Sequence, residues 1–343
     1  MTLFFVNDYG RGAHPKILEQ LTQTNLESEY GYGMDSYSER AKEKIRLSCK
    51  KEDAEIYFLV GGTQTNAVVI KSLLRSYEGV ISANTGHIST HEAGAIEYTG
   101  HKVIELPNYN GKLCAEDVEE YFDTFGKDAN LMHMVKPGMV YISYPTEYGT
   151  LYSKEELTAL HTICKKYSVP LFVDGARLGY GLMAKECDIT FKEFADLCDV
   201  FYIGGTKIGA LCGEAVVFTN KTIVPENYIT IIKQAGALLA KGRLLGVQFD
   251  TLFTDNLYFN ISKHAIEMAE LLKKGLKDKG CKFYIDSPTN QQFIIVENNR
   301  MEKLKKTVQF AKWEKYDDTH TIIRFVVDWS TKKEDVEQLI KIL

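Results

Sequence analysis

Three segments, far apart in a chain of 343 residues, place polar groups just beyond an apolar run. Gly61-Gly62-Thr63-Gln64-Thr65-Asn66 follows the run Ile56–Val60 and precedes an apolar-periodic stretch. Glycines let a backbone approach an anion, and free N–H groups at a helix start bind phosphate, with the Thr63 hydroxyl as a further donor. Read as a plain strand-to-helix turn, the same residues offer Thr63 or Thr65 as an N-cap. Leu171-Phe172-Val173 ends in Asp174, a carboxylate that is costly to bury without a partner. A protonated pyridine nitrogen, Arg177 or a helix N-terminus would each serve. Val200-Phe201-Tyr202-Ile203 leads through Gly204-Gly205-Thr206 to Lys207, where desolvation would lower the amine pKa and free a nucleophile. A solvated loop lysine is the alternative. Order and spacing decide between them: Asp174 and Lys207 are separated by room for one helix and one strand, and the phosphate-type turn lies upstream. A phosphate grip, a pyridinium partner and an imine-forming lysine in this order suit pyridoxal 5'-phosphate.

Short β-rich runs must position these groups. Candidate strands are Ile56–Val60, Gly79–Ala83, Lys102–Leu106, Met139–Ser143, Leu171–Asp174, Val200–Gly204 and Glu214–Phe218. Several are almost wholly apolar, as expected when both faces of a parallel sheet are covered. Helix-like segments, Gln64–Ser76, Ala115–Phe125 and Ser153–Tyr167, lie between them, the last opening on the capping box Ser153-x-x-Glu156. This alternation predicts βαβ units and an α/β fold with a mostly parallel seven-stranded sheet. Beyond about Thr254 the pattern changes to a long helix, Asp255–Lys279, β-like runs at Lys282–Ile285, Gln292–Val296 and Ile322–Val327, a helix Met301–Lys312, and a last helix opened by Thr331-x-x-Glu334. The reading is a large domain, residues 1–250, and a small C-terminal α+β domain, residues 251–343. The first 20 residues are candidates to pack with the small one, and a site is expected between the domains.

Composition excludes several classes. A net charge of −5 favours neither nucleic acid nor an anionic membrane. The opening apolar run, Leu3–Val6, is too short for a signal peptide, and no run approaches a membrane span. Seven cysteines without a C-x-x-C pair read as reduced thiols in the cytoplasm. His87 and His91 have the spacing of a metal pair but no third ligand and no His-Glu-x-x-His, so no metal is expected. His14 reads as a helix start with Pro15 at N1. Tyr141 and Tyr144 read as core. No G-x-G-x-x-G follows the first strand, which argues against a dehydrogenase. A non-catalytic binding module would lack Lys207 or Asp174, and both are present.

The chain resembles the L-threonine aldolase (β-eliminating lyase) family of fold-type I pyridoxal-phosphate enzymes, related in architecture to aspartate aminotransferase. The resemblance runs nearly end to end. It is carried by Asn7-Asp8-Tyr9, Gly12-Ala13-His14-Pro15, Gly62-Thr63-x-x-Asn66, Gly86-His87-Ile88, Pro145-Thr146-Glu147-Tyr148-Gly149, Asp174-Gly175-Ala176-Arg177, Thr206-Lys207 and Gly242-Arg243-Leu244-Leu245-Gly246. It implies that Lys207 forms the Schiff base, Asp174 pairs with the pyridinium, His87 stacks on the ring, and Gly62 and Thr63 hold the phosphate, with Arg243 from a neighbouring subunit. Arg177, beside the cofactor, and Arg324 would grip the substrate carboxylate. Asn7, Tyr32 and His133 belong to the substrate pocket, with His87 or His133 as base. The departures lie at Asn7-Asp8 and at Pro145-Thr146-Glu147, beside the expected substrate side chain. The implied protein is a cytoplasmic homodimer or homotetramer of amino-acid metabolism. It would cleave the Cα–Cβ bond of a small β-hydroxy-L-amino acid, L-threonine or L-allo-threonine, into glycine and acetaldehyde. A β-eliminating lyase or an aminotransferase is the alternative.

Overall fold

The computed structural model describes residues 2–343. Among these residues the strands are β1 (Leu3–Phe5), β2 (Glu55–Leu59), β3 (Glu78–Ala83), β4 (Val103–Leu106), β5 (Lys136–Ser143), β6 (Leu171–Asp174), β7 (Val200–Gly204), β8 (Glu214–Phe218), β9 (Lys282–Ile285), β10 (Gln291–Glu297), β11 (Val308–Lys315) and β12 (His320–Val326). Seven of them form one sheet in the order β2-β8-β7-β6-β5-β3-β4. The pairs β4–β3–β5–β6–β7 are parallel, and β8 runs antiparallel to both of its neighbours. Every residue of β3, β6, β7 and β8 is buried, which explains why these strands read as unbroken apolar runs. Alternate residues face two cores: Ile142, Val173, Ile203 and Val217 one, Tyr141, Phe172, Tyr202 and Val216 the other.

All seven sequence-derived strands are present, shifted only at their ends; β5, for example, starts at Lys136. Helices Gly62–Leu73, Ala115–Lys127 and Lys154–Lys166 fill the expected connections. The Ser153 capping box forms in both directions, Glu156 N donating to Ser153 Oγ at 3.1 Å and Ser153 N to Glu156 Oε2 at 2.7 Å. His14 caps the helix Pro15–Gln23, as read from the sequence.

The second sheet has the order β1-β11-β12-β10-β9 and draws on both ends of the chain. Leu3–Phe5, seen in the sequence only as an apolar run, is its edge strand, parallel to β11. Two expectations here are corrected. The helix expected over Met301–Lys312 ends at Leu304, and Val308–Lys315 is strand β11, paired with β12 and β1. The capping box at Thr331 does not form: the Thr331 hydroxyl accepts from Asp328 N at 2.8 Å, and the last helix starts after Lys332. The long helix Leu257–Asp278 serves both halves. Its Tyr258, Ile261 and Ala265 join the core of the large sheet, and its Met268, Leu272 and Leu276 that of the small one.

The ends of β6 and β7 approach so closely that a Cβ on Gly175 would sit 2.0 Å from the Tyr202 carbonyl oxygen. Gly175→Ala should therefore cost about 1–3 kcal/mol in urea denaturation, as overpacking does. Ser153→Ala, which removes only a cap, should cost about 1 kcal/mol.

Candidate active site

The carboxyl ends of β2, β5, β6 and β7 open onto a cavity of ≈ 280 Å³. Gly62, Thr63, His87, Asp174, Arg177 and Lys207 all line it, as strand ends in an open α/β sheet would arrange. Gly61 is the N-cap of the helix Gly62–Leu73, without side-chain capping. Thr63 and Thr65 are therefore not caps, and the first intrahelical bond is donated by Thr65 N. The amides of Gly62, Thr63 and Gln64 have no intrahelical acceptor, the arrangement that receives a phosphate.

Asp174 is 4% exposed and accepts four hydrogen bonds. Oδ1 takes Tyr202 Oη at 2.5 Å and Ala176 N at 3.0 Å; Oδ2 takes Tyr141 Oη at 2.7 Å and Asn66 Nδ2 at 3.0 Å. Burial opposes its charge, but the nearby His87 and the Tyr202, Asn66 and Tyr141 donors outweigh it and hold the carboxyl below the usual range. Tyr141 is core, as expected, yet its hydroxyl belongs to the site. A ring N–H arriving at Asp174 would displace one donor, and Tyr141 Oη already has Ser143 Oγ at 3.4 Å to turn to.

His87 Nδ1 lies 2.8 Å from Glu92 Oε1. Glu92, 4% exposed, accepts in addition from Asn66 Nδ2 at 2.7 Å. A carboxylate only accepts, so Nδ1 carries the proton. Burial disfavours the imidazolium, but the Glu92 hydrogen bond and the Asp174 charge prevail and raise the His87 pKa. Ligand atoms of His87, Glu92 and Asp174 lie within 4.8 Å of one another; hydrogen bonds account for this cluster.

Among the described residues no acceptor lies within hydrogen-bond distance of Lys207 Nζ. Burial, then the Arg177 charge, lower its pKa against the pull of Asp8 and Asp174. Glu214, 3% exposed, also lines the cavity; burial raises its pKa, and Gly205 N donates to its Oε2 at 3.2 Å. Free first-turn amides, a saturated carboxylate and an unpaired amine on one cavity fit the three functions of pyridoxal phosphate: phosphate, ring nitrogen and aldehyde.

Arg177 is already engaged. Its Nε and Nη2 donate to Asp8 Oδ2 and Oδ1 at 2.6 and 3.0 Å, and Asp8 Oδ2 also accepts from Asn290 Nδ2 at 2.9 Å. Arg324 on β12 donates from Nη1 to Gln291 Oε1 at 2.9 Å and stacks over Trp313, while its buried Nε has no partner. Burial and then Arg177 push its pKa down to about 10. Asn7 accepts from Tyr9 N, and Tyr9 lines the cavity. Five expected site residues, Asn7, Arg324, Arg243, Tyr32 and His133, do not line it. Arg243 donates to the carbonyls of Thr24 and Glu27. Tyr32 is 44% exposed beneath Lys233. His133 is exposed on the short turn Leu131–His133. Conversely, sequence reasoning missed Glu92, Glu214 and the Tyr202 hydroxyl. Glu214 and Tyr202 carry only a weak signal, a polar group within or beside an apolar run, and Glu92, in Ser-Thr-His-Glu-Ala-Gly, carries none.

Residues 11–320 match the sequence profile described as beta-eliminating lyase. The chain belongs to the beta-eliminating lyase family. The resemblance read from the sequence is thus borne out. The low specificity L-threonine aldolase of Pseudomonas sp. (strain NCIMB 10558) is 29% identical over 98% of this chain and 95% of its own. The solved structure of Leishmania major threonine aldolase superposes with a TM-score of 0.95 at 41% identity, covering 99% of this chain and 98% of that one. Aspartate aminotransferase from Thermus thermophilus, with maleate, reaches a TM-score of 0.71 at 13% identity over 99% of this chain and 90% of its own. That likeness is one of fold, and it bears out the fold-type I architecture for this lyase-family chain.

The His87–Glu92 pair yields a titration test. The raised pKa means that the imidazolium stabilises the fold fully below pH 6.5, and that this contribution is lost as pH rises through the raised value. Glu92→Gln should bring the His87 pKa down, followed by NMR of the ring protons. An unmoved titration would assign the shift to Asp174 alone.

Proposed function

We propose that this chain binds pyridoxal phosphate and cleaves the Cα–Cβ bond of a β-hydroxy-L-amino acid, L-threonine or L-allo-threonine, releasing glycine and acetaldehyde. The observation that carries this reading is the unpaired Nζ of Lys207, facing the same cavity as Asp174 and the free first-turn amides. Whole-length similarity to L-threonine aldolases supports the reaction. When bound, the cofactor supplies a conjugated ring that takes up the electron pair left on Cα.

The residues divide the remaining work. Lys207, its charge disfavoured by burial, would hold the cofactor's aldehyde through Nζ and could carry protons there. Asp174, held ionised, keeps a ring nitrogen protonated. Gly62 N, Thr63 N and the Thr63 hydroxyl would hold the phosphate, and His87 would support the ring. Arg324 and the remaining Nη1 of Arg177 would receive the substrate carboxylate, with Asn7 held by the amide of the cavity-lining Tyr9, and so orient the Cα bonds for cleavage. A second reading, β-elimination releasing ammonia and a keto acid, is favoured only by the description of the matching family.

We also propose that the site is completed in a homodimer or homotetramer. Leu26, Tyr30 and Met34 are 94%, 78% and 64% exposed, close in sequence to the carbonyls that anchor Arg243, and such apolar patches mark association surfaces. Among the described residues no helix is long and apolar enough to cross a membrane. All seven cysteines are free, which supports a cytoplasmic setting.

Two measurements test these readings. Borohydride reduction and peptide mapping should find pyridoxyl on Lys207, and Lys207→Ala should abolish both the label and release of glycine and acetaldehyde from L-threonine. Label on another lysine overturns the assignment, and ammonia with a keto acid moves the reaction to elimination. If Arg243 acts across a subunit interface, mixing inactive Lys207→Ala and Arg243→Ala proteins should restore about a quarter of the activity, from hybrid dimers with one intact site.

A further inference from the structure

The reaction proposed above needs a group that accepts the β-hydroxyl proton, and the two histidines expected to do so are poorly placed for it. His87 has its Nδ1 committed to Glu92, and the Glu92 hydrogen bond with the Asp174 charge raises its pKa, which works against the neutral form that a base needs. His133 is exposed and outside the cavity of its own chain. Glu147 lines the cavity, and it belongs to the segment that departs from the better-known aldolases.

Its carboxylate is presented rigidly. The turn that carries it closes through Thr146 N to Thr150 O at 3.0 Å and Gly149 N to Thr146 O at 2.8 Å. The Gly149 carbonyl accepts from the hydroxyls of Ser287 and Thr289 at 3.1 and 2.9 Å, and the Glu147 carbonyl from Gln291 Nε2 at 3.5 Å. The loop is therefore clamped between the two sheets. Ser143 Oγ donates to Glu147 Oε1 at 2.6 Å. Among the described residues, no other side chain donates to Oε2, and the residue's own amide helps hold the carboxylate charge.

We infer that Glu147 is the proton acceptor for the substrate's β-hydroxyl, an assignment that rests on the Cα–Cβ cleavage reading. The β-O–H bond breaks and its proton passes to Glu147 Oε2. The oxygen pair forms the C=O bond of the departing aldehyde as the Cα–Cβ bond breaks. The Cα–Cβ pair is left with Cα, which takes a proton from solvent to give glycine. Glu147 then returns its proton to solvent.

The surroundings suit this role. The charged and titratable groups facing Glu147 are Tyr141, Tyr148 and Tyr152 on its own stretch, His87 beyond β3, and Asp174 and Arg177 beyond β6. Burial outweighs the Ser143 hydrogen bond and the His87 charge, and Asp174 adds to it, so the pKa lies above the usual 4.5. A carboxylate raised toward operating pH is a better base.

The test is Glu147→Gln in the cofactor-loaded protein, since the amide oxygen can still accept from Ser143 but takes no proton. Expected are an unchanged visible absorbance of the bound cofactor and an unchanged thermal midpoint. Glycine, which has no β-hydroxyl, should still exchange its α-proton with deuterated water at the wild-type rate by NMR. Cleavage of L-threonine should fall by about 100- to 1,000-fold in kcat, and the acidic limb of the kcat/KM profile, set above the ordinary glutamate range, should vanish. Wild-type cleavage by Glu147→Gln overturns the assignment, as does loss of glycine exchange together with cleavage. If the wild type exchanges glycine but cleaves no β-hydroxy amino acid, the reaction reading fails first and the role of Glu147 with it, a result distinct from a defect confined to the variant.

Discussion

A carboxylate at the end of a buried strand is tolerable only if enough donors meet it, and much of this molecule can be understood as the supply of donors to Asp174. They arrive from separate elements. Tyr141 projects from β5, Tyr202 from β7, Asn66 from the helix after β2, and Ala176 N from the turn after β6 itself. Only a strand order that places β6 between β5 and β7 brings both tyrosines to one carboxylate. The register is equally constrained, because Ser143 is opposite Asp174 and Tyr141 opposite Phe172, so a slip of one residue would turn the Tyr141 hydroxyl to the other face. Asn66 extends the network to Glu92 and, through it, to His87.

A second ion pair joins the halves of the molecule. Asp8 follows β1, the edge strand of the small sheet, but its carboxylate binds Arg177 from the large sheet and Asn290 from the turn before β10. Asp8 is 1% exposed, and Arg177 holds it ionised against the cost of burial. The cavity-lining Arg177 is thus tied, through Asp8, to the first strand and to Asn290 near the start of β10. It also commits two of the Arg177 nitrogens before any substrate arrives, which leaves Arg324, with its unpaired Nε, as the freer guanidinium.

The large sheet was legible because burial on both faces demands unbroken apolar runs, and such runs are local. Asp174 and Lys207 were legible because each ends one. The small sheet was less so, since its order depends on Leu3–Phe5 pairing with Val308–Phe310, information separated by almost the full chain length. Met301–Lys312 has a helical rhythm at its start, but the available partners β1 and β12 convert its second half to strand, a tertiary override of local preference. Thr331-x-x-Glu334 has the letters of a capping box, yet Asp328 lies close enough to claim the Thr331 hydroxyl. Within the site, Tyr141 looked like core because it is core, as Tyr202 is, and only the register between strands shows where their hydroxyls point.

The charge balance of the cavity explains why the same acidic and basic residues do not neutralise one another. Glu147, Asp174 and Glu214 line it with Lys207, Arg177 and His87, yet the strongest cation, Arg177, is spent on Asp8, and His87 on Glu92. Lys207 is left facing carboxylates that do not hydrogen-bond it, with burial and Arg177 both acting against its charge. An amine in that position is relieved by covalent attachment to a carbonyl, and the first-turn amides opposite are relieved by an anion. One ligand carrying both groups satisfies two demands that the folded chain leaves open, and the chain's other pairings are what keep them open.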